Sequence, residues 1–489
     1  MEIKSKGNFI NGKWIISKGN SFESYSPVND ELLWTGNSST SDDINYAVAS
    51  AKEAFNFWRE LTVDERINYI KKYIEIVEKN KEALAEFISL EVGKPYWESL
   101  TEVSGVIGKL EPCMEAYNLR NKTMVREQSD GSVCITRFKP HGVISVIGPY
   151  NFPIHMPNAH IIAALIAGNT IIYKPSEKVP LVNEKLMELW EQSGLPNGVI
   201  NLVQGGKEVS ELLCLNNDVK GIFFTGSKKA GQNIEKLCLH KKLCALEMGG
   251  NSPYVVWDTK NIDSAVITII QSAFITSGQR CLAARRLIVP KNEFGDLFVN
   301  RLVEVSKKIK IGKPKDEEVF MGPLKSKELV DNIINKQEEL IRKGGVSLLE
   351  STRLPELGKS FITPGIIDVS CIKENIDEEI IGPFLQVSRV DTFEEAIEKA
   401  NDSCYGLSAG IITEDKKLYQ EFEDKIETGL ISWNRPIKAN KFAPFGGIKD
   451  SGNYRPSAFL STDYCVYTEA SVETEKLSEI TKLPNGISL

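Results

Sequence analysis

Histidine is scarce in this chain. Four imidazoles in 489 residues, with no HExxH and no tight run of other ligand residues, predict that no metal is bound. There is no CxxC pair. The nine cysteines (Cys113, Cys134, Cys214, Cys238, Cys244, Cys281, Cys371, Cys404 and Cys465) are odd in number, which argues against a disulfide framework and predicts reduced thiols. The opening stretch MEIKSKGNFINGKW lacks the apolar segment of a secretory signal, so a cytoplasmic protein is expected. Positive charge is in deficit. Lys and Arg number 59 against 66 Asp and Glu, a net charge of −7, which argues against nucleic acid as a partner. A clean membrane-length apolar run is also missing. Residues 140–173 carry no Asp, Glu, Lys or Arg, yet Pro149, Asn151, Pro153, Pro157, Asn158 and Asn169 interrupt them. No stretch of ~20 apolar residues survives, so this segment predicts buried core and not a membrane helix.

What remains is an ordinary globular composition, 42% apolar and 26% charged. At ~100–200 residues per domain, this length predicts two to four domains. Residues 8–36 read as short strands and turns. Ser41 followed by Asp42 and Asp43 marks a helix start, and Ile44, Val48, Ala51, Phe55 and Trp58 follow at helical spacing. Further helices are expected at about 64–78, 80–92 and 96–117, with a break at Gly93-Lys94-Pro95. Residues 122–139 form two extended runs around Asp130-Gly131, a hairpin signal. From 143 to 240 apolar strands (143–148, 170–175, 199–204, 221–226) alternate with helices (157–167, 180–193, 207–215, 227–240). That is the pattern of a parallel sheet covered on both faces. A second α/β stretch runs from about 250 to 450, with a helix from near Asn261 and another at 292–308. The tail beyond about 475 is expected to be poorly ordered.

Several short motifs offer chemistry. Gly226–Gly231 (GSKKAG) follows an apolar strand and precedes a helix, a placement that suits a phosphate at a helix N-terminus. It is neither a P-loop nor GxGxxG, and a plain strand-to-helix turn would look the same. Lys174 and Glu177 end a strand, where open α/β sheets bind ligands, although a solvated turn also fits. Cys281 closes SGQRC at the end of a helical pattern, and its neighbour Arg280 is a cation that would favour a thiolate. Glu247 precedes two glycines in LEMGGNSP, as a raised-pKa base could or a strand-end acid could. Asn151 sits between two prolines in GPYNFP, either as a fixed oxyanion donor or as a turn residue.

Taken together, IGPYNFP, YKPSE, FTGSKKAG, LEMGGNSP, SGQRC, EEIIGPF and APFGG follow the order and rough spacing of the aldehyde dehydrogenase superfamily, which the chain resembles from about residue 8 to 473. The resemblance implies an α/β fold with a Rossmann-like NAD-binding domain (1–120 and 140–247), an α/β catalytic domain (248–459) and a small β oligomerisation arm with the tail (121–139 and 460–489). It implies Cys281 as nucleophile, Glu247 as base and Asn151 as oxyanion amide. For NAD it implies Lys174, Glu177, Gly226, Ser227, Gly231 and Glu379, with Phe384 lining the site and Arg286 structural. It also implies a homodimer or homotetramer.

Finer segments, SGNYRPSA and STDYC above all, resemble members that oxidise N-succinylglutamate semialdehyde in arginine catabolism. Such a substrate carries several carboxylates, which points to Arg280, Arg435 and Arg455, with Arg285 balanced between that role and a structural one. Two positions depart from the family pattern, Ile154 after NFP and Ser252 after LEMGGN; the first lies near Asn151 in sequence. Other readings stay open: a dehydrogenase of succinate or glutamate semialdehyde, a cofactor-free thiol esterase using Cys281, or a non-catalytic binding protein. The esterase leaves Lys174, Glu177 and Glu379 without a task; the binding protein leaves Cys281, Glu247 and Asn151 unexplained.

Overall fold

The computed structural model describes residues 3–374, 376–456, 458–477 and 483–488. The expectation for the tail at 478–482 and 489 lies outside the described residues. A first sheet of seven strands has the order Leu243–Glu247, Val219–Thr225, Val143–Ile147, Thr170–Lys174, Ile200–Leu202, Asn8–Ile10, Lys13–Ile15. The first five are parallel, and the N-terminal pair joins antiparallel. Side chains alternate along each strand, so every central strand feeds two cores. Ile144 and Val146 pack toward helices His155–Ala167 and Pro180–Gln192. Val143 and Ile147 pack toward Ser41–Trp58, Lys207–Leu215 and Lys228–Cys238. The uncharged segment 140–173 is thus strand, helix and strand at the centre of this layer. No helix of the described residues is long and apolar enough to cross a membrane.

The second sheet has the order Val346–Leu349, Gly365–Asp368, Phe384–Val390, Ala284–Pro290, Ser252–Val256, Ala409–Ile412, Ile431–Trp433, parallel except for its first strand. A third, antiparallel sheet pairs the hairpin Met124–Glu127 and Val133–Pro140 with Val466–Glu473. The helix expected over 96–117 is two helices, Tyr96–Ile107 and Leu110–Arg120, parted at Gly108. A late segment closes the edge of the first sheet. Asn453 Oδ1 accepts from the Leu246 amide at 2.9 Å, its Nδ2 donates to the Cys244 carbonyl at 2.8 Å, and the Met248 amide donates to the Ser451 carbonyl at 2.9 Å.

Candidate active site

The parallel strands of the first sheet end together, at Ile147, Lys174, Thr225 and Glu247. A cavity of about 770 Å³ opens along that edge. Open α/β sheets bind ligands there because the loops diverge beyond the strand ends.

Cys281 reaches this cavity by an unusual backbone. The helix before it ends at Phe274, earlier than the sequence pattern suggests. Thr276 (φ 59°), Ser277 (φ 52°) and Gly278 (φ 68°) then run consecutively in the left-handed region. For Thr and Ser this costs on the order of 1–3 kcal/mol each, so the surroundings must enforce it. The Thr276 hydroxyl donates to Glu98 and accepts from Arg280 Nε at 2.6 Å, and the Ser277 hydroxyl donates to the Gly322 carbonyl at 2.7 Å. Gly278 passes so close to Gly382 that a Cβ would stand 2.0 Å from its carbonyl oxygen.

Cys281, Glu247, Asn151, Lys174, Glu177, Gly226, Ser227, Glu379 and Arg280 all line the cavity. The Asn151 amide donates one N–H to the Gln279 carbonyl at 2.7 Å, which leaves its second. Glu247 is 1% exposed, and the Thr225 hydroxyl is the one side-chain donor among the described residues that acts on its carboxyl. Burial pushes its pKa up to about 8, with the Lys109 ammonium pulling the other way. Burial also pushes the Cys281 thiol well up; Glu247 and Glu379 add to this and Arg285 opposes it. The cation acting on the thiol is therefore Arg285, not Arg280. Arg285 is held by the carbonyls of Gly250, Gly278, Arg280 and Ile380 and lies 3.6 Å from Glu379. Arg280 instead turns to Glu98 at 2.8 Å.

Other expected positions lie elsewhere. Gly231 is buried beneath Met248, whose Sδ would be 2.3 Å from a Cβ there; it allows close helix–strand packing and does not line the cavity. Phe384 does not line the cavity either. It packs with Leu324, Ile333 and Ile367, because its strand buries both faces. Arg435 is exposed, and its carbonyl accepts from the Tyr254 hydroxyl. Arg455 donates through Nη1 to the carbonyls of Gly447 and Tyr454. It lies outside the cavity wall, with its Cα 3.1 Å from where a Cβ on Gly446 would stand. Arg286 donates to the carbonyls of Asn251, Lys399 and Ala400. Ile154 is fully buried in the core and its side chain does not line the cavity.

Sequence reasoning missed the charged layer behind Asn151. Lys94 and Glu102 form a buried ion pair at 2.5 Å. Glu102 also accepts from the amides of Ile154 and His155 at 3.1 and 3.2 Å, fixing the turn that carries Asn151. Lys94 lies 3.7 Å from the centre of the Phe152 ring. The available signal was Glu98 and Glu102 at i, i+4 on a helix that also carries Leu100, Val103 and Val106.

A family model described as the aldehyde dehydrogenase family matches residues 14–469. A protein of Legionella pneumophila (strain Corby) named N-succinylglutamate 5-semialdehyde dehydrogenase is 45% identical over 487 residues, covering 99% of this chain and 98% of its own. A protein of the same name from the Paris strain is 44% identical over 480 residues, covering 97% and 96%. Among solved structures, an aldehyde dehydrogenase from Bacillus cereus superposes with a TM-score of 0.90 at 30% identity, covering 96% of each chain. Betaine aldehyde dehydrogenase from Staphylococcus aureus, solved in complex with NAD+, gives a TM-score of 0.92 at 27% identity, covering 98% of this chain and 97% of its own.

Proposed function

The chain belongs to the aldehyde dehydrogenase family, and from that premise we propose that it oxidises N-succinylglutamate 5-semialdehyde to N-succinylglutamate with NAD, within the succinyltransferase route of arginine catabolism. The observation that carries this reading is 45% identity, over nearly the whole length, to relatives named for that activity. The meeting of Cys281, Glu247 and Asn151 in one cavity supports the chemistry.

The cavity suits a dinucleotide. Ser227 caps the helix Lys228–Cys238, whose N-terminal amides and dipole favour a pyrophosphate. Gly226 and Gly249 admit backbone where a Cβ would meet the Phe224 ring at 2.4 Å and the Glu379 carboxylate at 1.7 Å. Lys174 spends two ammonium protons on the carbonyls of Pro175 and Gly205 and keeps a third. Lys174 and Glu177 would hold the adenosine ribose, Gly226 and Ser227 the pyrophosphate, and Glu379 the nicotinamide ribose, with Gly231 supporting the turn from behind.

The Cys281 thiolate attacks the aldehyde carbon, and the remaining Asn151 N–H and the Cys281 amide take the oxyanion. When bound, NAD supplies the hydride acceptor that lets the adduct on Cys281 become a thioester. Glu247 then draws a proton from water, and hydrolysis frees the carboxylic acid and the thiol. Arg280, Arg435 and Arg455 are the proposed partners of the substrate carboxylates, Arg455 foremost because it lies in the SGNYRPSA segment on which the finer resemblance rests.

The same reading divides the chain into an NAD-binding domain (1–120 and 140–247), a catalytic domain (248–459) and an arm with the tail (121–139 and 460–489), with action in the cytoplasm as a homodimer or homotetramer. The arm sheet supports assembly through its exposed Met124, Val125 and Val472. Nine free thiols support the compartment. NADH formation over a panel of semialdehydes tests the substrate. The succinylated compound should be preferred in kcat/KM over glutamate and succinate semialdehydes, and preference for either of those overturns the assignment.

A further inference from the structure

One helix holds both turns of the candidate site. Tyr96–Ile107 starts just after Lys94-Pro95 and buries Glu98 and Glu102, one helical turn apart on the same face. Glu98 Oε1 accepts from the Thr276 hydroxyl and from Arg280 Nη2 at 2.8 Å, so it grips the left-handed turn that leads into Cys281. Glu102 Oε1 accepts from the amides of Ile154 and His155, and its Oε2 takes the Lys94 ammonium, so it grips the turn that carries Asn151. The two turns meet each other directly. Asn151 Nδ2 donates to the Gln279 carbonyl at 2.7 Å, and the centre of the Phe152 ring lies 3.7 Å from Lys94 Nζ and 5.3 Å from the Arg280 guanidinium carbon. The helix itself is fastened to a third segment. Its Tyr96 amide donates to the Pro314 carbonyl and its Trp97 indole to the Val319 carbonyl, each at 2.9 Å. Gly105 lets it lie close against the Asn151 turn, for a Cβ there would stand 2.4 Å from His155 Nδ1.

A buried ion pair adds little net stability, because desolvation cancels most of the attraction. What two carboxylates on one fastened helix add is spacing. We propose that Glu98 and Glu102 are positioning residues of the oxidation: through the helix they fix how far the Cys281 sulfur stands from the Asn151 amide, and so where the aldehyde oxygen gains its negative charge. The inference rests on the reading of Cys281 as nucleophile and Asn151 as oxyanion donor. Neither carboxylate lines the cavity, so each acts through the turn it grips. A misplacement of about 1 Å at reacting atoms costs about a hundredfold in rate, so a small slip of either turn is measurable.

The test compares two paired substitutions in the full-length protein, neither of which strands a buried charge. Lys94→Met with Glu102→Gln keeps an acceptor for the Ile154 and His155 amides; Lys94→Met with Glu102→Met removes it. NADH formation is followed in stopped flow under single turnover, with NAD present and enzyme in excess over propanal, an uncharged aldehyde that makes no demand on the arginines. The pair with Gln should react at least about tenfold faster than the pair with Met, at equal KM for NAD. Made in the Asn151→Ala chain, the same exchange of Gln for Met should cost less than about threefold. An equal cost in both backgrounds, or a loss carried by KM for NAD, reduces Glu102 to scaffold and overturns the proposal alone. Asn151→Ala by itself should slow the reaction; if it does not, the oxyanion reading falls and the proposal falls with it. Glu98→Met puts the same cycle to the other turn. It should show the same dependence on Asn151, an equal loss with and without Asn151 overturns the proposal, and it decides where the pair with Met does not fold.

Discussion

Replacing Glu247 by Gln removes a carboxyl that is 1% exposed, at nearly constant volume. Its raised pKa sets the size of the effect. With half-ionisation at about pH 8, the base form makes up about 1% of the protein at pH 6, 9% at pH 7 and 50% at pH 8. If thioester hydrolysis limits turnover, steady-state NADH production should rise about fiftyfold from pH 6 to pH 8 and level off beyond pH 9. Glu247→Gln should retain a burst of NADH near one equivalent per site in stopped flow, followed by slow turnover without that rise. The burst rate reports Cys281 and the steady state reports Glu247, so the two ionisations separate. Stability runs the other way. Between its ordinary 4.5 and about 8, the folded carboxyl holds a proton that the unfolded chain releases. Stability is therefore lost as pH rises through that window, by on the order of 5 kcal/mol at most. Urea midpoints of Glu247→Gln should show less of this decline. A burst lost as completely as the steady state, or a flat parental profile from pH 6 to 9, refutes the assignment of Glu247 to hydrolysis.

Cys281→Ala should abolish both NADH formation and ester hydrolysis while NAD still quenches tryptophan fluorescence; appreciable turnover would point to another cysteine. Glu177, exposed at the cavity mouth, should accept from a ribose hydroxyl and repel a 2′-phosphate, so NAD should exceed NADP by at least about tenfold in kcat/KM, worth about 1.4 kcal/mol; parity would show that Glu177 reads something else. Arg455→Met should lower kcat/KM about ten- to a hundredfold for the succinylated substrate and spare a small uncharged aldehyde, as for loss of one charge-assisted hydrogen bond of about 1.5–3 kcal/mol; an equal loss on both would reduce its role to the Gly447 and Tyr454 carbonyls it already binds. Gly278→Ala meets the Gly382 carbonyl at 2.0 Å in a left-handed backbone, so a loss of about 2 kcal/mol or more in the urea midpoint is expected, and an unchanged midpoint would show that the loop yields freely.

The alternation from 143 to 240 was readable because parallel strands buried on both faces are near-continuous apolar runs. The second layer was fainter. Helix Lys416–Lys425 buries only Phe422, so its pattern resembles a solvated stretch. Phe384 was misplaced because its position beside Gly382-Pro383 says nothing about which way its strand faces. The candidate site was readable through the order of its motifs, but its electrostatics were not. Adjacency of Arg280 to Cys281 suggested a contact that the left-handed turn at Thr276 and Ser277 removes, and neither residue type announces that conformation. The buried charges Lys94, Glu98 and Glu102 went unread because sequence alone does not show that the helix Tyr96–Ile107 is covered on the face that carries Glu98 and Glu102.

The strap of Ser451 and Asn453 across the strand of Glu247 also bears on how the molecule is made. Asn453 closes that strand from 207 residues downstream of Leu246. At about 5–20 residues per second, the strand bearing the base waits roughly 10–40 s on the ribosome with that edge unpaired. An apolar strand with an open edge is a template for wrong partners. Truncation just before Ser451 should therefore yield a chain that aggregates during synthesis, even though the whole cavity wall has already been translated.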